Sequence, residues 1–162
     1  MKKNLMIITL AMTMAFGSAV FAPINCEAAT NNTTAVSTAQ PVYITAAPLE
    51  MVKNPAKFLN KNVKINATFD KFTNLGLDYK PAMRSSQDYI SFLILRDDVG
   101  ENIIPLSEMK LFLKRTMAEK FIDLEVGDKI QVEGKVFSNA LSDVWVDVSK
   151  ITVIKKKNPK KA

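Results

Sequence analysis

The chain has 162 residues, no histidine and one cysteine, and its formal net charge is +6. The missing histidine excludes every His-dependent catalytic triad and removes the commonest general base and metal ligand. A Gly-x-Ser-x-Gly elbow and a phosphate-binding glycine loop are also absent from the sequence, so we expect no catalytic residues, no metal site and no cofactor.

Residues 1–29 have the features of a secretory signal peptide. Lys2 and Lys3 precede a long apolar run rich in small residues, and cleavage is expected after Ala28 or Ala29. The alternative is an uncleaved membrane anchor, although threonine and glycine dilute the run. The signal predicts an exported protein, either periplasmic or extracellular, whose mature chain has no cysteine and so no disulfide.

The basic character is concentrated at the C-terminus, in a predicted tail over residues 155–162. Five lysines lie in this tail, and without them and the signal peptide the basic and acidic residues balance at 15 each. Such an arm can contact an anionic surface, which includes lipid, cell-wall polymer and nucleic acid. A solvated terminus that only aids solubility is the alternative.

The first half of the mature chain predicts a spacer followed by short elements. Residues 30–41 lack an apolar period and read as disordered, and a short strand is expected within 42–46. Apolar spacing predicts helical turns over 48–59, broken at Pro55. Alternation predicts a strand over 63–69 with a bulge just after it, and a long polar loop follows.

The middle of the chain predicts two strands and one long helix. The strands cover residues 88–95 and 103–106, and the helix covers 107–124. Its apolar stripe, which we expect to close one end of a barrel rather than to form a cofactor or lipid slot, consists of Met109, Phe112, Leu113, Met117, Phe121 and Leu124.

Two further strands are expected at 129–137 and 144–154. Gly134 marks a bend or a bulge in the first, and a change of alternation at Ser149 predicts a bulge in the second. The element order is strand, strand, strand, helix, strand, strand. It predicts an all-β domain with one or two helices over residues 42–154. Its architecture is a five-stranded OB-type Greek-key barrel with the helix between strands 3 and 4.

Three segments carry a resemblance to known OB-fold domains. Residues 89–101 resemble their second strand and turn, 126–136 are similar to their fourth strand, and 146–151 look like their closing strand. Similar sequence patterns occur in the bacterial periplasmic OB-fold family and in the anticodon-binding domains of class II tRNA synthetases. With an export signal, the resemblance implies the periplasmic family, whose members are regarded as binding modules without catalytic residues.

The closing strand holds the main candidates for ligand binding. Asp143, Trp145 and Asp147 alternate away from the valines of that strand, and Tyr89 begins the second strand. Trp145 would supply a flat apolar contact and the aspartates would supply acceptors, because OB barrels bind oligonucleotides and sugars on a strand face. An acidic rim disfavours phosphates and favours sugars or cations.

The alternative role for Trp145 is packing, since a lone tryptophan usually buries most of its ring. In that case Leu49 and Val52 of the N-terminal helix are expected to cover it.

The leading functional hypothesis is a non-enzymatic exported binding module for a small molecule, glycan or protein. A domain that binds single-stranded nucleic acid through Trp145, Tyr89 and the lysine tail is the first alternative, disfavoured by a neutral body and the export signal. A hydrolase using Asp143 and Asp147 is the second. The acidic residues near Asp97 are interpreted as turn chemistry rather than a calcium loop. The sequence indicates no oligomeric state.

Overall fold

Six β-strands carry the fold in the computed structural model, which describes residues 41–100 and 102–158. The strands are β1 (Ile44–Thr45), β2 (Asn62–Thr73), β3 (Tyr89–Ile94), β4 (Met109–Lys114), β5 (Lys129–Ser138) and β6 (Val144–Lys155). The helices are α1 (Pro48–Lys53), α2 (Pro55–Phe58) and α3 (Arg115–Ala118), with 3₁₀ turns at Lys80–Ala82, Glu119–Phe121 and Ala140–Ser142. The predicted signal peptide, most of the predicted spacer and the last four residues lie outside the described residues.

Five of the strands close into a barrel. Their order is β2-β3-β4-β6-β5, and β5 returns to pair with the first half of β2. The pairing of β4 with β6 is parallel and the other four barrel pairings are antiparallel. Strand β1 adds to β2 in parallel outside the barrel. This strand order, with α3 between the third and fourth barrel strands, confirms the predicted OB-type all-β fold.

Among the described residues, the ladders of the long strands shift register at four places, and two of these shifts were expected from changes of alternation. In β2 the pairing with β3 skips between Phe69 and Lys71. In β6 the pairing with β5 jumps from Lys150 to Val148, which leaves Ser149 unpaired in that ladder. The bulges let each strand serve two neighbours, which is how a small sheet closes on itself.

Gly134 of β5 lies close against the backbone of β6. A Cβ on this residue would lie 2.4 Å from the carbonyl oxygen of Asp147. Only glycine fits at that distance. The register of the ladder shifts between Glu133 and Gly134, which confirms the bulge that was one of the two alternatives predicted here. We call this close contact between Gly134 of β5 and Asp147 of β6 the crease.

The N-terminal helical turns break at the predicted place. Asn54 leaves the helical conformation, with φ −138° and ψ 60°, and Pro55 starts α2. The buried side chains Met51 and Phe58 join the main core, and Leu49 and Val52 pack against it from the outside.

The predicted helix over 107–124 is wrong in its first half, and the predicted third strand over 103–106 is misplaced. The third barrel strand is β4, at Met109–Lys114, and helix follows only at Arg115–Ala118. The segment 103–106 contributes a single bridge, between Leu95 and Pro105.

Burial on both faces of β4 explains this error. Met109, Leu111 and Leu113 point into the main core, while Lys110 and Phe112 are covered on the outside. A strand covered on both faces loses the alternation of polar and apolar residues, so its apolar positions can mimic helical spacing. The second half of the stripe behaves as expected, because Met117, Phe121 and Leu124 pack against the core.

Candidate functional site

Trp145 lies on the outer face of β6 and is only 1% exposed. The loop of residues 74–88, between β2 and β3, covers it. Tyr79 from this loop stacks on the indole at a centroid distance of 5.4 Å, and Phe112 of β4 stacks at 5.6 Å. The predicted covering by Leu49 and Val52 is wrong, because those residues pack against the main core on the other side of the sheet.

Polar and steric contacts complete the surroundings of the indole. Its Nε1 donates a hydrogen bond to the carbonyl oxygen of Ala140 at 2.7 Å. Gly76 of the covering loop has φ +82°, and a Cβ there would lie 3.1 Å from the indole. The ring is therefore enclosed by the protein itself, and a ligand could reach it only if the loop moved.

The two predicted aspartates are each paired with a cation. Asp143 accepts a hydrogen bond from the Lys110 ammonium, which also lies over the Trp145 ring. Asp147 accepts two hydrogen bonds from the Arg84 guanidinium, at 3.2 and 2.6 Å. Hydrogen bonding to Asp147 raises the pKa of Arg84 above its usual value, although partial burial opposes this. The pairing neutralises the expected acidic rim.

Arg84 also fastens the covering loop to the barrel. Its guanidinium lies 3.8 Å from the centroid of the Phe137 ring and 5.7 Å from that of Tyr89. Such stacking stabilises a planar cation against aromatic faces. Arg84 therefore joins the loop to three strands, and it holds the Asp147 carboxylate in place.

An open groove of about 460 Å³ runs across the strands beside the crease at Gly134. It contains two of the four predicted site residues, Tyr89 and Asp147, and neither Trp145 nor Asp143 lines it. Its lining consists of Pro41, Tyr43, Asn62, Tyr89, Lys114, Met117, Gly134, Lys135, Asp147, Val148 and Ser149.

The polar groove residues occupy facing positions on successive strands. Asn62 of β2 faces Lys135 of β5, and Lys135 faces Asp147 of β6. On the far side, Lys114 of β4 faces Tyr89 of β3. Facing residues on neighbouring strands present their side chains on the same side of the sheet, so one surface carries all of them.

The groove also contains two lysine cations. Within the part of the chain that the structure describes, Lys114 and Lys135 have no ion-pair partner, whereas Asp147 is held by Arg84. Each tyrosine ring has a cation near one face, Lys64 at 5.9 Å from Tyr43 and Arg84 at 5.7 Å from Tyr89. The groove therefore combines net positive charge with tyrosine rings at its two ends.

Tyr43, Lys114 and Lys135 were missed in the sequence. Tyr43 lies just before β1, Lys114 ends β4 and Lys135 lies within β5, and no motif surrounds any of the three. The only available signal was the alternation that points Lys135 outward.

The first residues of the predicted lysine tail lie against the barrel. The carboxylate of Asp128, which is fully buried, accepts hydrogen bonds from the Lys156 ammonium at 2.7 Å and from the backbone N–H of Lys157 at 2.9 Å. The backbone N–H of Glu125 donates a third at 2.9 Å. Burial raises the pKa of Asp128, but these hydrogen bonds outweigh it and leave the pKa below its usual value.

Two other features bear on the choice of function. Over residues 41–100 and 102–158, no three histidine, cysteine or acidic side chains come together in a way that could hold a metal ion. No helix in the same residues is long and apolar enough to cross a membrane. At the predicted turn near Asp97, the carboxylate of Asp98 pairs with Arg96.

The fold and groove thus define an OB-type barrel with an open, tyrosine- and lysine-lined surface. No protein-family model and no curated protein sequence matches the chain. Among solved structures, OBody AM1L10 bound to hen egg-white lysozyme is 12% identical with a TM-score of 0.43, over 62% of this chain and 84% of that one. OBody AM3L15, bound to the same protein, is 15% identical with a TM-score of 0.43, over 64% and 84%.

A third similar structure is described as an aspartyl-tRNA synthetase from Leishmania major Friedlin. It is 14% identical with a TM-score of 0.41, over 78% of this chain. The chain spans only 23% of that protein's length. At these scores the OB-type assignment depends on the strand order described above.

Proposed function

We propose that this protein is an exported, non-enzymatic OB-fold binding module whose ligand lies in the groove between Tyr43 and Tyr89. The observation that carries the proposal is the groove itself, which is open and of a size typical of ligand sites. Its two lysines have no partner within the described residues. Ligand pockets are typically lined by apolar and aromatic side chains together with a few polar or charged groups that orient the ligand.

The arrangement of the carboxylates supports a binding role over hydrolysis. Asp143 and Asp147, the two candidates for acid–base chemistry, are each held by a basic partner and separated by the buried Trp145. Only Asp147 lines the groove. A glycosidase needs two carboxyl groups facing one scissile bond.

The predicted signal peptide supports export, and the resemblance of residues 89–101 and 126–136 to the periplasmic OB-fold family agrees with it. N-terminal sequencing of the protein from its native cells tests this part. The expected mature protein begins near Ala29 or Thr30 and is recovered outside the cytoplasm. Recovery of membrane-bound protein that retains Met1 would contradict the export proposal.

A second candidate function is binding of single-stranded nucleic acid. Two tyrosines and two lysines on one surface favour it, since such proteins combine aromatic stacking with a basic groove. The export signal counts against it.

Titration calorimetry with neutral glycans, acidic glycans and single-stranded DNA tests the groove as the common site. Tyr89→Ala should weaken binding of the preferred ligand about tenfold, by the loss of one stacking contact. Lys120→Ala is the matched control, because Lys120 is exposed and lies outside the groove. Equal affinity for the Tyr89→Ala variant and the wild type would remove the groove from consideration.

A further inference from the structure

The charge balance of the groove points to the chemistry of its ligand. Asp147 brings the one carboxylate in the lining, and the bidentate bond from Arg84 neutralises it. The lysine cations, at Lys114 and Lys135, remain unpaired within the described residues. A cationic ligand would meet two like charges and would have to displace Arg84 from Asp147, whereas an anionic ligand meets two free cations.

The positions of these lysines indicate more than one anionic group. Lys135 faces Asp147 across one strand spacing, Asp147 faces Phe112 across a second, and Lys114 lies two residues beyond Phe112. The two lysine Cα atoms are therefore about 12 Å apart along the sheet, from the usual strand spacing and rise. Two cations at that separation suit anionic groups on separate, non-adjacent units of an oligomer.

The order of side chains across the groove separates a sugar from a nucleic acid. Strand order places the rings of Tyr43 and Tyr89 at the two ends, with Lys135 and Lys114 between them. Single-stranded nucleic acids bind where successive bases find successive aromatic platforms. Here the rings only flank the cations, while Asn62 and Ser149 add an amide and a hydroxyl able to bond sugar hydroxyl groups.

We infer that the groove binds an acidic oligosaccharide, with its anionic groups on Lys114 and Lys135 and its terminal sugar rings on the tyrosines. This inference rests on the proposed function, because it names the ligand class for the same site. It reverses the expectation from the sequence, which treated the aspartates as a free acidic rim.

Titration calorimetry on the full mature chain tests the ligand class. The probes are an oligogalacturonate, its methyl ester, a heparin-derived oligosaccharide and oligo-dT. The methyl ester keeps the sugar rings and removes the carboxylate charges. We expect binding of at least one of the two acidic sugars and at least tenfold weaker binding of the methyl ester. Affinity should fall as salt rises from about 0.05 to about 0.5 M, because exposed charges are screened.

Lysine variants test whether the acidic sugar binds in the groove or elsewhere on the protein. Lys114→Gln and Lys135→Gln remove the charges and keep most of the stems, and each should weaken binding about three- to tenfold. Lys120→Gln is the control for an exposed lysine elsewhere, and a Lys160→Gln/Lys161→Gln variant tests the tail. Urea midpoints equal to wild type verify that the folded state is intact.

Each remaining outcome overturns the inference in a recognisable way. Equal binding of the ester and the acid, lost in Tyr89→Ala, would leave the groove as the site and refute the acidic class. Tighter binding of oligo-dT, lost in the same lysine variants, would favour nucleic acid. Acidic sugar binding that is lost only in the tail variant would place it outside the groove. Absence of binding by every probe would overturn the inference but not the proposed function, whose ligand can belong to another chemical class.

Discussion

Tyr79→Ala tests whether the loop of residues 74–88 is what shields Trp145. Tyr79 stacks on the indole with an interplanar angle of 20°, and its own ring is half-buried. Removing it loses a ring–ring interaction of about 0.5–1.5 kcal/mol and the burial of part of a large side chain. Together these should lower the free energy of unfolding by about 2–3 kcal/mol.

The same substitution should change the fluorescence of the folded protein. Trp145 is the only tryptophan in the chain, so the emission reports this site alone. We expect a red shift in Tyr79→Ala at zero urea, because water reaches the indole face, and emission close to wild type in Tyr79→Phe, which keeps the stacked ring.

Val52→Ala is the matched control for the N-terminal helix. It should lower stability by about 1 kcal/mol through lost core contacts and leave the emission maximum unchanged, because Val52 packs on the opposite side of the sheet. A red shift in Val52→Ala together with unchanged emission in Tyr79→Ala would refute the assignment of the covering loop.

Two further substitutions test the C-terminal fastening and the crease. Asp128→Asn should lower stability near neutral pH by about 2–4 kcal/mol, because it weakens charge-assisted hydrogen bonds with Lys156 and the Lys157 backbone. Since the pKa of Asp128 is lowered in the folded state, its contribution is complete above about pH 4 and is lost as the pH falls through the folded pKa. The urea midpoint of Asp128→Asn should lie below that of the wild type, and the difference should become smaller in acid. A difference that does not depend on pH would contradict the role of the charge. Gly134→Ala should lower the free energy of unfolding by about 1–3 kcal/mol, because the added Cβ would meet the Asp147 backbone, which cannot rotate away. A urea midpoint equal to that of the wild type would show that the two strands do not lie so close together.

Strands with one buried face were predictable. In β2, Val63 and Ile65 are buried between half-exposed or exposed neighbours, and the interruption at Asp70 coincides with the bulge. The change of alternation at Ser149 located the second bulge for the same reason. Because a residue's face alternates strictly along a strand, a break in the pattern implies an extra residue in the ladder.

The burial of Trp145 was only half predictable. Its direction follows from alternation with Val144 and Val146, and it does point away from them. What covers it depends on where residues 74–88 lie, and this loop has no apolar periodicity that indicates its path. The same loop buries Phe112, so the misassignment of β4 and the misplaced cover for Trp145 have a common cause.

The groove was out of reach of motif analysis for a more general reason. Five of its polar residues come one from each of the five barrel strands and are spread over 86 positions of the chain: Asn62, Tyr89, Lys114, Lys135 and Asp147. No local spacing links them, because closure of the barrel brings them together. The sign of the groove's charge is equally non-local, since it depends on Arg84 reaching Asp147 from a loop 63 residues away. In the sequence Asp147 looks like a free acceptor for a ligand, but in the folded chain its carboxylate binds Arg84. An anchored carboxylate of this kind can leave the neighbouring lysines to select an anion.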